Sequence, residues 1–282
     1  MKRYNEDAKL VPVPSTNIIP ERDVDKSPIL ECRHLGIDFG GLTAVDEFNM
    51  AIGRTEIAGL IGPNGAGKTT VFNMLTGVYE IDQGEIIFDG KPIHNHAPQE
   101  IVKAGISRTF QNIRLFPNLR VIENVLVGTH IHTKYNFFSS LFRTPRFQEE
   151  EAQLTVKAIE ILESIGLGDQ VNNYARNLPY GDQRKIEIAR AIATDARIIL
   201  LDEPAAGMNP QEAEELLRFI RELRDKGYTI ILIEHDMSVV MNISDRIYVI
   251  DHGKQIAEGL PAEIASNEQV IEAYLGGVKK DA

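Results

Sequence analysis

The sequence predicts an α/β fold with a mostly parallel core sheet, and three observations carry that reading. Gly62-Pro63-Asn64-Gly65-Ala66-Gly67-Lys68-Thr69-Thr70 fits G-x-x-x-x-G-K-[ST], a phosphate-holding loop, and lies between a short apolar run and a stretch of helical character. Ile198–Leu201 is a second apolar run, too short for a helix, that ends on two adjacent carboxylates, Asp202 and Glu203. From about Asp182 onward, helical stretches alternate with short apolar runs, the pattern of helices packed around parallel strands.

Composition bounds the function. At 282 residues, 43% of them apolar, the chain can build one large α/β domain or a domain with a subdomain. A formal net charge of −11 argues against a surface that wraps nucleic acid. One cysteine, Cys32, excludes an intrachain disulfide and fits a reducing compartment. No apolar run approaches the ~18 residues of a membrane span, and the N-terminus carries no secretory apolar region. The expectation is a soluble cytoplasmic protein that reaches a membrane only through a partner.

Taken in order, residues 1–27 carry prolines and charges without a sustained period and read as a mobile tail. Strands are expected at Ile29–Arg33, Gly36–Phe39, Thr43–Met50 and Thr55–Ile61, with turns at Gly40-Gly41 and Gly53-Arg54. A helix over Thr70–Leu75 follows the phosphate loop and ends at Gly77. Gly84–Lys91 reads as a strand entering an Asp-Gly hairpin turn. Val121–Val127 and Glu149–Ile165 read as helices, the second with apolar positions at Leu154, Ala158, Ile161, Leu162 and Ile165. Between them lie Phe137, Phe138, Phe142 and Phe147, read as the core of a small subdomain, with a docking surface as the alternative. Helices around Asp182–Ala193 and Gln211–Asp225 lead to strands Ile198–Leu201 and Thr229–Ile233. A hairpin from Arg246–Ile250 turns at His252-Gly253, and a last helix covers Asn267–Leu275. The pairs His94/His96 and His130/His132 are discounted as metal ligands, because no cysteine or carboxylate cluster accompanies them.

The chemistry follows from the two motifs. Consecutive backbone N–H groups of a glycine loop, with a helix N-terminus behind them, make an anion site. Lys68 would pair with the β/γ-phosphates and the Thr69 hydroxyl would ligate Mg²⁺. Asp202 ends a buried strand, where open parallel sheets place ligands, and suits Mg²⁺. Glu203, one residue on, would face the γ-phosphate and an attacking water.

With these motifs in family order from about Ile29 to about Gly276, the chain resembles the ATP-binding-cassette (ABC) ATPases. The resemblance implies a P-loop NTPase fold of ABC type over residues 28–276. That fold has an antiparallel β subdomain, a helical subdomain at about 113–180, and here a short tail at 277–282. Gln111 in Arg108-Thr109-Phe110-Gln111 matches the family's Q-loop glutamine, His235 its switch histidine, and Phe39 the aromatic residue placed against adenine. ATP and Mg²⁺ are the implied cofactors. Asn64, Gly65, Ala66, Gly67, Lys68 and Thr69 would cradle the phosphates and Thr70 would contact the α-phosphate. Thr69, Gln111 and Asp202 would arrange the metal, Glu203 would act as general base, and His235 would contact the γ-phosphate.

The family's signature, usually LSGGQ, reads Leu178-Pro179-Tyr180-Gly181-Asp182 here, and its D-loop reads Ala206-Gly207-Met208-Asn209. Gly181 retains backbone N–H donation. Because the family forms head-to-tail dimers, the departures bear on the service this chain gives a partner's phosphate site. Within the family, Phe39–Leu42, Arg108–Glu123, Asp202–Pro210, Glu234–Met237 and Ala273–Gly276 are most similar to the larger ATPase subunit of bacterial branched-chain amino acid importers. That resemblance implies a heterodimer with a second ATPase, a homodimer being the alternative. It also implies two permease subunits, docked near Gln111–Glu123, fed by a periplasmic binding protein, with the chain at the cytoplasmic face of the plasma membrane and no nucleic acid bound. Urea or amide importers and the lipopolysaccharide-export ATPase are similar alternatives. A DNA-repair ATPase would need a long coiled coil, and a translation-factor ATPase two cassettes; neither is present.

Overall fold

The computed structural model describes residues 28–133, 142 and 144–275; the expected tails at 1–27 and 277–282, with Phe137 and Phe138, lie outside the described residues. The strands are β1 (Leu30–Phe39), β2 (Leu42–Ile52), β3 (Ile57–Ile61), β4 (Gln83–Phe88), β5 (Lys91–Pro92), β6 (Ile106–Arg108), β7 (Ile198–Asp202), β8 (Thr229–Ile233), β9 (Arg246–Asp251) and β10 (Lys254–Gly259). They form one sheet in the order β5-β4-β1-β2-β10-β9-β3-β8-β7-β6. From β9 to β6 every pairing is parallel. At the other end β1 pairs antiparallel with β2 and β4, and β4 with β5.

The division follows from side-chain patterning. β3, β7 and β8 are buried at every position and aliphatic apart from Gly59, Asp202 and Thr229, as strands covered on both faces must be. Alternate residues feed two apolar cores: Ile199, Leu201, Ile230 and Leu232 on one face, Ile198, Leu200, Ile231 and Ile233 on the other. The two strands expected at Ile29–Arg33 and Gly36–Phe39 are one. His34, at φ 50°, bulges the chain between them, and the register shifts there without breaking the ladder. The strand expected from Thr55 begins at Ile57, because Thr55 turns at φ 58°. Both hairpin turns stand as expected, Asp89-Gly90 and His252-Gly253 having positive φ at both residues.

The helices are α1 (Lys68–Leu75), α2 (Pro98–Ala104), α3 (Val121–Thr129), α4 (Pro145–Ser164), α5 (Tyr180–Ile192), α6 (Pro210–Asp225), α7 (Met237–Ile243), α8 (Pro261–Ala265) and α9 (Glu268–Leu275). α4 starts four residues before the expected Glu149, at a proline that needs no N–H partner in the first turn. α5 starts at Tyr180 rather than Asp182, with Pro179 at its N-cap. α1 packs Val71, Phe72, Met74 and Leu75 on one face of the sheet, while α3, α4, α5 and α6 share the core on the other.

Of the four phenylalanines read as a subdomain core, the two described, Phe142 and Phe147, do not form it. Phe142 is 72% exposed and Phe147 half-buried. The region is filled instead by Val121 and Val125 of α3 and by Ala158, Ile161 and Leu162 of α4, which join Ile188, Ala189 and Ile192 of α5. Aliphatic side chains one helical turn apart already complete this face.

Candidate functional site

β3 delivers the chain to the phosphate loop and α1 carries it away. Gly67 stands at the N-cap of α1 with φ 110°, and a Cβ there would lie 2.9 Å from the Ala44 carbonyl. Only glycine lets the loop turn this close to β2. The loop residues 64–70 wall a cavity of about 430 Å³, closed elsewhere by Leu42, Thr43, Ala44, Glu203, His252 and Gly253. Lys68 Nζ donates to the carbonyls of Gly62 at 2.7 Å and Pro63 at 2.8 Å. Burial lowers its pKa, and the charges of Glu203 and Asp202 oppose that shift. A cation held among backbone N–H groups at a helix start is suited to a polyanion.

Facing the loop, three adjacent parallel strands end together. Glu203 follows β7 with φ 44°, a strained conformation for a glutamate, and its N–H is held by the Ile233 carbonyl at 2.9 Å. Its Oε2 accepts from Gln111 Nε2 at 2.6 Å and lies 3.6 Å from His235 Nδ1. Gln111 follows β6 and His235 follows β8, so the residue expected at the metal and the one expected at the γ-phosphate converge on one carboxylate oxygen of Glu203. Outside the carboxyl ends of a parallel sheet is where ligands bind.

Asp202, the last residue of β7, is 11% exposed at its side chain and pairs with Arg108 at 2.6 Å. Among the described residues no cluster of three or more His, Cys, Asp or Glu is present that would cage a metal. One carboxylate and the Thr69 hydroxyl form a sparse donor set. That set fits Mg²⁺, which keeps several waters and shares its shell with phosphate oxygens.

Two expected site residues stand apart. Phe39, 44% exposed, lies outside the cavity with its ring edge-on to Tyr79 at 5.1 Å between centroids. Gly181, in the first turn of α5, does not wall the cavity either, and a Cβ added to it would meet nothing within 4 Å. Beside it the Tyr180 hydroxyl donates to the Ala206 carbonyl at 3.3 Å, tying the signature segment to the D-loop segment. Asn209 caps α6, accepting from the N–H groups of Gln211 and Glu212 at 3.0 Å each.

Sequence reasoning assigned no role to three further groups. Arg184 is fully buried and donates to the carbonyls of Phe110 and Gln111 at 2.7 Å each, and to Glu187 at 2.8 Å. Glu187 in turn accepts from Arg114 N–H at 3.1 Å, so α5 grips the segment that carries Gln111. The signal was present: Arg184 and Glu187 share the i, i+3, i+4, i+7 stripe with Ile188 and Ala191, where helical periodicity calls for apolar residues. His252 reaches the cavity through the hairpin turn the sequence predicts, but nothing in the sequence ties that turn to the phosphate loop. Arg108, paired with Asp202, is the third.

A family model described as ABC transporter matches residues 45–206, and one described as branched-chain amino acid ATP-binding cassette transporter matches residues 254–280. The chain is similar to the high-affinity branched-chain amino acid transport ATP-binding protein LivG of Escherichia coli (strain K12). The identity is 49% over 250 residues, covering 88% of this chain and 98% of the relative. BraF of Pseudomonas aeruginosa, with the same description, is 47% identical over 88% of this chain and 98% of its own length. Among solved structures, an ATP-binding cassette of an ABC transporter in its ADP conformation superposes with a TM-score of 0.78 at 34% identity, covering 88% of this chain and 99% of that one. A nucleotide-free cassette superposes with a TM-score of 0.76 at 33% identity, covering 88% and 98%.

Proposed function

The chain belongs to the ATP-binding-cassette transporter family, and on that premise we propose that it is the ATP-hydrolysing subunit of a branched-chain amino acid importer. Partner subunits, another ATPase and membrane permeases, belong with such a subunit. Among the described residues no helix is long and apolar enough to cross a membrane, so these partners would hold it at the cytoplasmic face. The second ATPase is a different chain, because the Pro179, Tyr180 and Asp182 departures make this signature a poor copy of the one its own loop requires. A periplasmic binding protein supplies the amino acid.

The observation that carries the catalytic reading is the convergence of Gln111 and His235 on Glu203, across the cavity from the loop of Lys68. In the phosphoryl-transfer template, Asn64–Thr69 and Lys68 hold the phosphates and Thr70 meets the α-phosphate. Thr69 and Asp202, with Gln111 alongside, would hold Mg²⁺, which when bound neutralises charge on the β/γ oxygens. Glu203 takes a proton from the attacking water, Gln111 orients its carboxylate, and His235 meets the γ-phosphate. Phe39, exposed, offers its ring to the base, and Gly181 its N–H to the partner's nucleotide.

Uptake of labelled leucine by cells lacking this gene tests the proposal. The chain restores uptake. Glu203→Gln does not, and the purified variant keeps nucleotide affinity while turnover falls about 100-fold or more, the scale of general-base catalysis. Restored urea uptake without leucine uptake would replace the substrate, and near-normal turnover in Glu203→Gln would remove the general base.

A further inference from the structure

Arg108 puts a full charge into the three-residue edge strand β6, opposite Leu200 of β7. Its side chain is 9% exposed, so the guanidinium is nearly desolvated, which is costly unless fixed partners satisfy it. Nη2 donates to Asp202 Oδ2 at 2.6 Å, and Nη1 donates to Asn73 Oδ1 at 2.7 Å. The rings of Phe72 and Phe110 hold it from two directions, each centroid 5.5 Å from Cζ.

The partners matter for what they adjoin. Asn73 is four residues beyond Thr69 on α1, one turn away on the same helical face. Asp202 ends β7. A rigid fork thus bridges the helix bearing the Thr69 hydroxyl to the strand bearing the Asp202 carboxylate, and takes one carboxylate oxygen while leaving Oδ1.

We propose that Arg108 is a positioning residue for the divalent cation: through Asn73 and Asp202 it sets the gap between the Thr69 hydroxyl and the Asp202 carboxylate in which the cation is held. The proposal rests on the reading of Thr69 and Asp202 as cation ligands given above. A plain buried ion pair would stabilise the fold without regard to metal. A spacer acts on the metal-dependent part of nucleotide binding, as outer-shell partners of metal ligands do.

The test titrates Mg²⁺ into the full-length chain with a non-hydrolysable ATP analogue at fixed concentration, and measures analogue affinity again in EDTA. In Arg108→Gln the half-saturating Mg²⁺ concentration rises about tenfold, while metal-free affinity stays within about twofold. Asn73→Ala keeps the charge pair and removes only the anchor on α1; it raises the Mg²⁺ requirement about threefold, and it decides the matter if Arg108→Gln does not fold. An unchanged or lowered Mg²⁺ requirement in a folded variant, or equal weakening with and without metal, overturns the proposal. Wild-type binding indifferent to Mg²⁺ would overturn the cation reading itself, and this proposal with it.

Discussion

Glu203 and Glu234 follow neighbouring strands, one facing the cavity and the other buried. Glu203 is 22% exposed at its side chain, faces the cavity and accepts from Gln111. Glu234 is 2% exposed and its carboxylate accepts from the Ala205 N–H at 3.0 Å. Burial raises the Glu234 pKa above its ordinary value, the charge of Glu203 adds to that, and the Ala205 bond and His235 oppose it. A carboxyl whose folded pKa is raised binds protons more readily folded than unfolded. Its contribution to stability is therefore fully present below the unfolded pKa and lost as pH rises through the folded one. At neutral pH the buried charge is a liability that an amide would lack while still accepting from Ala205. Glu234→Gln is expected to raise the melting temperature at pH 7–8 and to lose that advantage below about pH 4, where an ordinary carboxylate is protonated in both states. Thermal unfolding of both proteins across that range checks it, and a pH-independent difference would contradict the argument.

Among the elements, the phosphate loop shows why its glycines are not interchangeable. A Cβ on Gly62 would come within 1.9 Å of the Ile250 carbonyl of β9, whereas one on Gly65 would meet nothing within 4 Å. Gly65→Ala faces only its φ of 80°, a penalty of about 1–2 kcal/mol. Gly62→Ala must also push two strands apart, which adds about 1–3 kcal/mol. Urea unfolding of the two variants should rank them in that order. Elements with a strong period or a bounded apolar run, such as β7, β8 and α6, were legible in the sequence to within a residue or two. Elements lacking both were not: β6 has three residues, and α2 and α7, at seven residues each, are too short to show the full i, i+3, i+4, i+7 stripe. Helix starts at Pro145 and Pro210 were read late because an apolar stripe begins after the first turn. In the site, Lys68, Glu203, Gln111 and His235 were legible because their motifs join backbone shape to chemistry. Arg108 and Arg184 were missed because a charge inside a strand or on an apolar stripe reads as solvated until its partners, distant in sequence, are in place.

At the scale of the whole molecule, the proposed function gives the chain two half-sites rather than one site. The loop and Glu203 line one cavity, with Gln111 and His235 set against the Glu203 carboxylate, while the start of α5 at Gly181 lies outside it. If a second chain completes each half, turnover per molecule should rise with protein concentration and rise further when the partner ATPase is added. Turnover independent of concentration would mean that one chain suffices. The sheet order also governs how the molecule comes into being. β3, which launches the phosphate loop, is flanked by β8 and β9, and the Ala66 carbonyl beyond it accepts from Gly253 N–H at 2.9 Å. The neighbours of a strand finished at Ile61 are thus made long after it. A nascent chain that already carries the complete glycine motif still lacks both strands that flank β3 and the Gly253 N–H that holds Ala66, so the loop takes its shape only once those segments are made.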